Sequence, residues 1–529
     1  MFYWLSSLVL FAFLLRGLTS RYFIAQGDAA SFVDFLTLRT SNTPLISDFT
    51  LSPWNLYSQN GIFGLSIAEF CEASFGNAYE GVSNIHWHAY LLTPITYILS
   101  KILFFISPSV FALSLLALSY TLGIVSIYRF LLKSNISRLM LTVFTYILFT
   151  SPVFINSLLG QPYIDRISFG PFVAYILYRS QKKIASWAQQ RNNLIIIVLI
   201  ALISERAALI AGLLSFAFIF FHLKNYKLQK HDFIAAIFSS IPISWFLLWN
   251  TFIATSEYYS ALNFHQALSN LQALFLSGRS HNFITLAVVL LPFLVLILAG
   301  SRKLFLIAII AVLPNLIINI GGAELVGYYS HYHAMYLPVI TAFTAISIVR
   351  IRLGGGSDPK RLVAIGLLTL SIITSSLIGI TRTADSPGSF STISQRNFGK
   401  SLAALGIYLS EDNKVRNKAY RDFIESLGQI DTTKSVSAPE SLFPILLDAG
   451  FKKINYFPIG VGSSDILIFP VNPGPDQVPD LTLYGVMPKQ LKEQAGGCFK
   501  NRITSYYNLN TERDIFATHY NIYFKKTSK

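Results

Sequence analysis

The feature that most constrains this chain is a series of apolar runs, each close to the length that crosses a bilayer. A helix of about 20 apolar residues spans roughly 30 Å of hydrocarbon, because each residue adds about 1.5 Å. The runs are 2–19, 88–107, 109–128, 138–160, 168–179, 194–221, 232–254, 282–299, 303–320, 333–350 and 361–381. They predict a mainly α, polytopic membrane protein with about 11 transmembrane segments, in a range of about 10 to 13.

The balance of residue types agrees with a membrane protein. Of 529 residues, 53% are hydrophobic and only 13% are charged, about half the charged share of a soluble domain. The net charge of +15 would suggest nucleic acid in a soluble protein, but here the basic residues lie in short loops between apolar runs. The sequence therefore predicts a multi-pass protein of the cell (inner) membrane, with membrane lipid rather than nucleic acid as its partner.

The basic loops set the expected orientation. With a cytoplasmic N-terminus and one crossing per run, the basic loop 222–231 and the clusters at 302–303 and 350–361 lie in the cytoplasm. Two further basic loops, Arg129–Arg138 and Arg179–Arg191, fall on the outer side in this count. Half-helices, or a hairpin around Glu205 in the interrupted run 194–221, would change the number of crossings and so correct this mismatch between charge and side.

Two domains are predicted. Residues 1–383 form the transmembrane domain, with a large extracytoplasmic first loop at 20–87, and residues 384–529 form a small extracytoplasmic α/β domain. Short strands are expected at 434–438, 453–457, 466–469, 502–507 and 521–524, with a helix at 440–449. Cys71 and Cys498 both fall outside the cytoplasm in this scheme, and whether they pair stays open.

Ionisable residues near apolar segments are the first candidates for function, because lipid makes unpaired charge costly. Asp28 and Asp34 follow the first apolar run. A carboxylate at a membrane–water boundary can act as a general base or hold a divalent cation. A divalent cation is the one cofactor that the sequence suggests. The alternative is an ordinary acidic loop.

Two further sets lie beside apolar runs. His86 and His88 share one face of a strand but form a poor metal pair on a helix, so contact with a phosphate or interfacial anchoring are the open interpretations. Glu205 and Arg206 interrupt an apolar run, and adjacent residues on a helix do not face each other. Each of these two residues therefore needs another partner, either in a site or in structural pairing between helices.

The segment 321–338 (GGAELVGYYSHYHAMYLP) combines an acid, two histidines and several tyrosines between two apolar runs. An interfacial aromatic belt explains the tyrosines but not the histidine pair. We therefore expect Glu324, His331 and His333 to line a site on the outer face, together with the first loop.

These motifs resemble the domain-of-unknown-function 2079 family, whose members are grouped by fold with GT-C glycosyltransferases. The likeness is carried by Asp28, by His86 or His88 followed by Pro94, and by two short stretches, Ser-Glu-Arg-Ala-Ala at 204–208 and His-Tyr-His-Ala at 331–334. The tail adds Ser-Val-Ser-Ala at 435–438 and Asp-Ile-Leu at 465–467. The chain has Ser-Glu-Arg where the family has a Lys, and Asp34 has no clear counterpart.

The resemblance implies an activity and roles for particular residues. GT-C enzymes transfer sugars outside the cytoplasm from polyprenyl-phosphate carriers. Asp28 would then be the general base or a metal ligand, while Arg206, His331 and His333 would stabilise the departing phosphate. The expected function is a GT-C-type glycosyltransferase. The alternatives are a membrane transporter or lipid flippase, and a non-catalytic membrane scaffold.

Overall fold

The computed structural model describes part of the chain. The described residues are 2–21, 107–158, 164–180, 195–204, 207–208, 210–214, 217, 237, 240, 244, 280–317, 335–353, 423, 425, 427–438, 442–456, 462, 464–471, 501, 503–515 and 518–526. The chain divides into two compact units. The first comprises Met1–Arg16, Thr93–Ile95 and Ser114–Gly406, and the second comprises Gly17–Leu92, Thr96–Leu113 and Ile407–Lys529.

The helices follow the apolar runs of the sequence. They are α1 (Phe2–Arg21), α2 (Pro108–Lys133), α3 (Arg138–Thr150), α4 (Pro152–Leu158), α5 (Ile164–Ile167), α6 (Phe169–Ser180), α7 (Ser280–Gly300), α8 (Arg302–Ile317) and α9 (Leu337–Leu353). Residues 195–201 are also helical, as are the described residues between 207 and 217. The prediction of a mainly helical N-terminal part is confirmed for the residues that the structure describes.

By length and composition, α2 is the one helix within the described ranges that is able to cross a membrane, and shorter apolar helical segments lie in α1, α3, α7 and α9. The predicted run 138–160 is not one helix. It is divided into α3 and α4 at Ser151, because Pro152 lacks the backbone N–H that would continue α3. Runs 88–107 and 361–381 lie outside the described residues, and the total of about 11 segments stays a prediction.

A serine caps the start of five of the described helical segments. The side-chain oxygen of the serine accepts a hydrogen bond from the backbone N–H three residues later, which would otherwise lack a partner in the first helical turn. The pairs are Ser107 with Val110 (3.3 Å), Ser137 with Met140 (3.3 Å), Ser151 with Phe154 (3.4 Å), Ser204 with Ala207 (3.0 Å) and Ser301 with Leu304 (3.4 Å). The bonds of Ser151 and Ser204 are buried, and there the serine replaces the water that caps helices elsewhere.

Helix α9 lies at the centre of the first unit. It packs against α3, α6, α7 and α8, and every residue from Met335 to Ile348 is buried. Its polar groups are satisfied within the protein: the Thr341 and Thr344 hydroxyls donate to the carbonyls of Leu337 (2.9 Å) and Ile340 (2.7 Å). A helix that is buried on every side is a core helix rather than a lipid-facing one.

The second unit contains a five-stranded sheet in the order β2-β1-β3-β5-β4. Its strands are β1 (Val436–Ala438), β2 (Ile454–Tyr456), β3 (Ile466–Val471), β4 (Tyr507–Ile515) and β5 (Thr518–Lys525), and α10 (Phe443–Asp448) lies between β1 and β2 in the chain. Strand β1 pairs in parallel with β2 and β3, whereas β5 pairs antiparallel with β3 and β4. This confirms a mixed α/β composition for the described part of the tail.

One predicted strand is wrong over most of its length. The expected strand at 502–507 is helical at residues 503–506, and β4 begins only at Tyr507. The apolar and aromatic residues Ile503, Tyr506 and Tyr507 fit a helical spacing as well as a strand, so periodicity alone did not separate the two.

A hydrogen-bonded junction joins the starts of β1 and β3. The Asp465 carboxylate accepts from the backbone N–H of Ser435 (2.9 Å) and from its hydroxyl (2.8 Å). These bonds, with Lys525 and Lys434 nearby, hold the pKa of Asp465 below its ordinary value of 3.8. Burial, with the Asp465 carboxylate nearby, raises the pKa of Tyr507, so its hydroxyl stays protonated and donates to the Ser464 carbonyl (2.7 Å).

We predict that Gly300→Ala destabilises the protein by about 1–3 kcal/mol, because an added Cβ would overlap Ser347 of α9. Thermal unfolding in detergent measures the effect. Gly428→Ala is the matched control, since a Cβ there meets nothing within 4 Å. Equal melting temperatures for the two variants would contradict this close packing.

We predict that Asp465→Asn lowers the stability of the sheet at neutral pH and that the stability of this variant falls less than that of the wild type when the pH is lowered. A carboxyl group whose pKa is lower in the folded state than in the unfolded state stabilises the folded state at pH values above its unfolded pKa. This contribution is lost as the pH falls through the folded pKa. We therefore expect the contribution of Asp465 to be lost below about pH 4. Pepsin cleavage of the tail across the acid range measures it. Ser435→Ala, which keeps the backbone donor, should show a smaller change, and an unchanged acid response in Asp465→Asn would contradict the assignment.

Candidate functional site

The residues predicted to form the site lie outside the part of the chain that the structure describes. They are Asp28, Asp34, His86, His88, Glu205, Arg206, Glu324, His331 and His333. Their roles therefore stay predictions, and so does a divalent cation at Asp28 and Asp34. The described neighbours of two of these motifs do have defined geometry.

The first such neighbour is Ser204, at the interruption of the run 194–221. Helical residues 195–201 end in a turn, and Ser204 begins a new helical turn by accepting from the N–H of Ala207 through its side chain (3.0 Å). Its carbonyl accepts from the N–H of Ala208 (2.9 Å). Ser204, Ala207 and Ala208 are all buried. Buried residues of the first unit therefore precede and follow Glu205 and Arg206 in the chain, and the helix break lies directly before them.

The second neighbour is the start of α9. Met335 and Tyr336 form a turn and are both buried, and α9 begins at Leu337. In the chain, the segment that holds His331 and His333 therefore directly precedes α9, which is buried from Leu337 to Ile348.

A polar cluster that the sequence analysis did not identify lies around α5. Asp165 and Arg166 are each only 4% exposed. The neighbouring hydroxyls of Ser119, Ser157 and Ser168 are also buried. Two ionisable residues between the apolar runs 138–160 and 168–179 were a signal for such a cluster, but they lay between the predicted segments rather than inside one.

Three aromatic rings pack together beside this cluster. Tyr120 of α2 stacks on Phe169 of α6 with centroids 4.5 Å apart, and Phe154 of α4 packs edge-on against both. The Tyr120 hydroxyl forms a hydrogen bond with Ser157 and lies within electrostatic range of Arg166. Tyr120 therefore links the aromatic rings to Ser157 and to the buried Arg166.

Ser119 joins α2 to the turn between α5 and α6. Its hydroxyl donates to the Ile167 carbonyl (2.7 Å) and accepts from the N–H of Gly170 (2.9 Å). A side chain at position 170 would collide with the backbone carbonyl of Ser119. This contact therefore requires glycine, in the way that small residues allow close helix packing in membranes.

The described residues offer no evident metal centre. Among them, no group of three or more His, Cys, Asp or Glu side chains is arranged to hold a metal ion.

Comparison with known proteins gives a distant likeness. No protein-family model matches the chain, so the resemblance to the domain-of-unknown-function 2079 family gains no support from that comparison. No curated protein matches it either. Among solved structures, the chain is similar to ArnT from Cupriavidus metallidurans bound to undecaprenyl phosphate, with 12% identity, 99% of this chain and 97% of that chain covered, and a TM-score of 0.44. At that score the likeness does not by itself assign a shared fold.

We predict that Ser119→Ala destabilises the first unit by about 1–3 kcal/mol, because it leaves the part-buried Ile167 carbonyl and the buried Gly170 N–H without this partner. Thermal unfolding in detergent measures the change. Thr142→Ala is the control, since that exposed hydroxyl donates only to a carbonyl of its own helix (3.0 Å). If both variants melted alike, Ser119 would not be a structural link.

Proposed function

We propose that this protein is a membrane glycosyltransferase of the GT-C type. It transfers a sugar from a polyprenyl-phosphate donor to an acceptor on the extracytoplasmic face. The proposal rests on the family resemblance of the sequence motifs. The observation that carries it is the helix break at Ser204, which lies inside the stretch Ser-Glu-Arg-Ala-Ala that contributes to that resemblance.

The break matters because an unbroken apolar helix has no backbone group to offer a ligand. Helix interruptions at membrane depth occur where the backbone is enclosed by protein or lines a cavity. A new helix start also carries a partial positive charge, which favours an anion. An anionic phosphate beside Glu205 and Arg206 fits this chemistry, with Arg206 as the counter-charge.

The proposed reaction is a displacement at the anomeric carbon of the donor sugar. Asp28 removes the proton of the acceptor hydroxyl, whose oxygen forms the new bond to that carbon. The bond from the carbon to the phosphate oxygen breaks, and the lipid phosphate leaves with the electron pair. Arg206, His331 and His333 stabilise the negative charge that develops on the phosphate.

The remaining candidate residues hold the substrates in this proposal. His86, His88, Glu205 and Glu324 bind the sugar and phosphate, and Asp34 supports Asp28. The carboxylates of Asp28 and Asp34 are of the type that Mg²⁺ prefers. If such a cation binds there, it neutralises charge on the donor phosphate, and Asp28 is then a ligand rather than the base.

We predict that Asp28→Asn lowers turnover at least about 100-fold while the protein still inserts into the membrane, because loss of a general base typically costs this much. Purified protein in lipid nanodiscs is assayed with a panel of polyprenyl-phosphate sugars. Asp431→Asn is the control, since Asp431 is exposed and bonds only within its own turn, to Thr433 (3.0 and 2.7 Å). Turnover by Asp28→Asn at the wild-type rate would contradict the proposal.

A lipid flippase or transporter is the second candidate, because discontinuous helices also form the substrate sites of transporters. The same break at Ser204 favours it. Vesicles that contain the protein separate the two functions. A flippase moves the intact polyprenyl-phosphate sugar to the opposite leaflet without forming product, whereas the glycosyltransferase releases the lipid phosphate.

A further inference from the structure

A carboxylate of the C-terminal sheet region binds the first turn of α2, and both lie within the second unit. Asp448 Oδ1 accepts from the Ser107 hydroxyl (2.7 Å) and from the backbone N–H of Ser109 (3.4 Å). Ser107 in turn accepts from the N–H of Val110 (3.3 Å), and Pro108 occupies the first helical position. Asp448 therefore completes the cap of α2.

The position of Asp448 in its own helix favours this function. It is the last residue of α10, where the negative end of the helix dipole disfavours a carboxylate. The N-terminus of α2 offers the opposite charge, together with N–H groups that have no carbonyl partner within the helix. The contact with the N-terminus of α2 therefore offsets the unfavourable electrostatic effect of the C-terminus of α10 on the Asp448 carboxylate.

The two ends of α2 differ strongly in charge. The 26-residue helix measures about 39 Å, long enough to cross roughly 30 Å of hydrocarbon. Its sequence has no charged residue before Arg129. Arg129, Lys133 and Arg138 are exposed and cluster at the far end, and such basic clusters remain in the cytoplasm.

We infer that Asp448 fixes the start of α2 on the extracytoplasmic face beside the C-terminal domain, so that α2 crosses inward and Arg129–Arg138 is a cytoplasmic loop. This inference is independent of the reaction that the protein catalyses.

This orientation places the basic loop Arg129–Arg138 in the cytoplasm, as its charge favours. If the run 138–160 crosses outward and the run 168–179 crosses back, the basic loop Arg179–Arg191 also lies in the cytoplasm. The orientation changes the predicted count of crossings at two places. One lies before α2, and the other is the interrupted run 194–221, where a hairpin keeps the basic loop 222–231 in the cytoplasm and the C-terminal domain outside.

Cysteine labelling of the full-length protein tests the arrangement. In a Cys71→Ser/Cys498→Ser background, Asn135→Cys reports the loop after α2 and Lys453→Cys reports the C-terminal domain; both positions are exposed. A membrane-impermeant maleimide applied to intact cells should label Lys453→Cys at once, and Asn135→Cys only after permeabilisation. Labelling of both in intact cells, protection of both, or the reverse pattern would each overturn the inference.

Hydrogen exchange tests the contact itself. In Asp448→Ala, the amides of Ser109 and Val110 should exchange at least about threefold faster than in the wild type, because the cap is weakened. Asp431→Ala, which removes an exposed carboxylate of the same domain, should leave them unchanged. Unchanged exchange in Asp448→Ala, or equal acceleration in both variants, would overturn the anchoring function of Asp448.

Discussion

The constraint on which this structure depends is that a backbone polar group in apolar surroundings must find a partner inside the protein. A continuous helix meets it automatically, and each break in a helix exposes N–H groups that need another acceptor. Serine supplies that acceptor at Ser107, Ser137, Ser151, Ser204 and Ser301. The breaks are therefore stable features of the fold, at which polar groups can be placed inside an apolar unit.

Close contacts around small residues complete the first unit. Gly300 lies against Ser347 and Gly170 against the Ser119 carbonyl, while α9 is buried along its length between four neighbouring helices. A closely packed, buried core of this kind can hold polar groups in fixed positions, as a site within a membrane requires. Among the described residues, predicted functional motifs lie next to this core at two places: the helix break at Ser204 and the turn at Met335 and Tyr336 directly before α9.

Much of the architecture could be predicted from the sequence. The apolar runs correspond to α1, α2, α6, α7, α8 and α9, and the strands expected near 436, 454 and 466 are present in the sheet.

Hydrophobicity alone did not reveal the break at Ser151, where a single Ser-Pro pair divides an apolar run. Nor did it place Asp165 and Arg166 inside the protein, because their burial depends on packing between α2, α4 and α6. The contact between Ser107 and Asp448 joins residues 341 positions apart, and no local pattern encodes it. The roles of Asp28, Glu205, Arg206 and the histidines stay predictions, since they rest on residue type and on resemblance.

The most direct test of the central claim is an experimental structure of the protein in a lipid nanodisc with a polyprenyl phosphate bound. The account predicts a helix broken at Ser204, with the phosphate bound between residues 204–208 and the segment 331–334, and with Asp28 facing it. A continuous helix through Ser204, or a phosphate bound away from both segments, would contradict it.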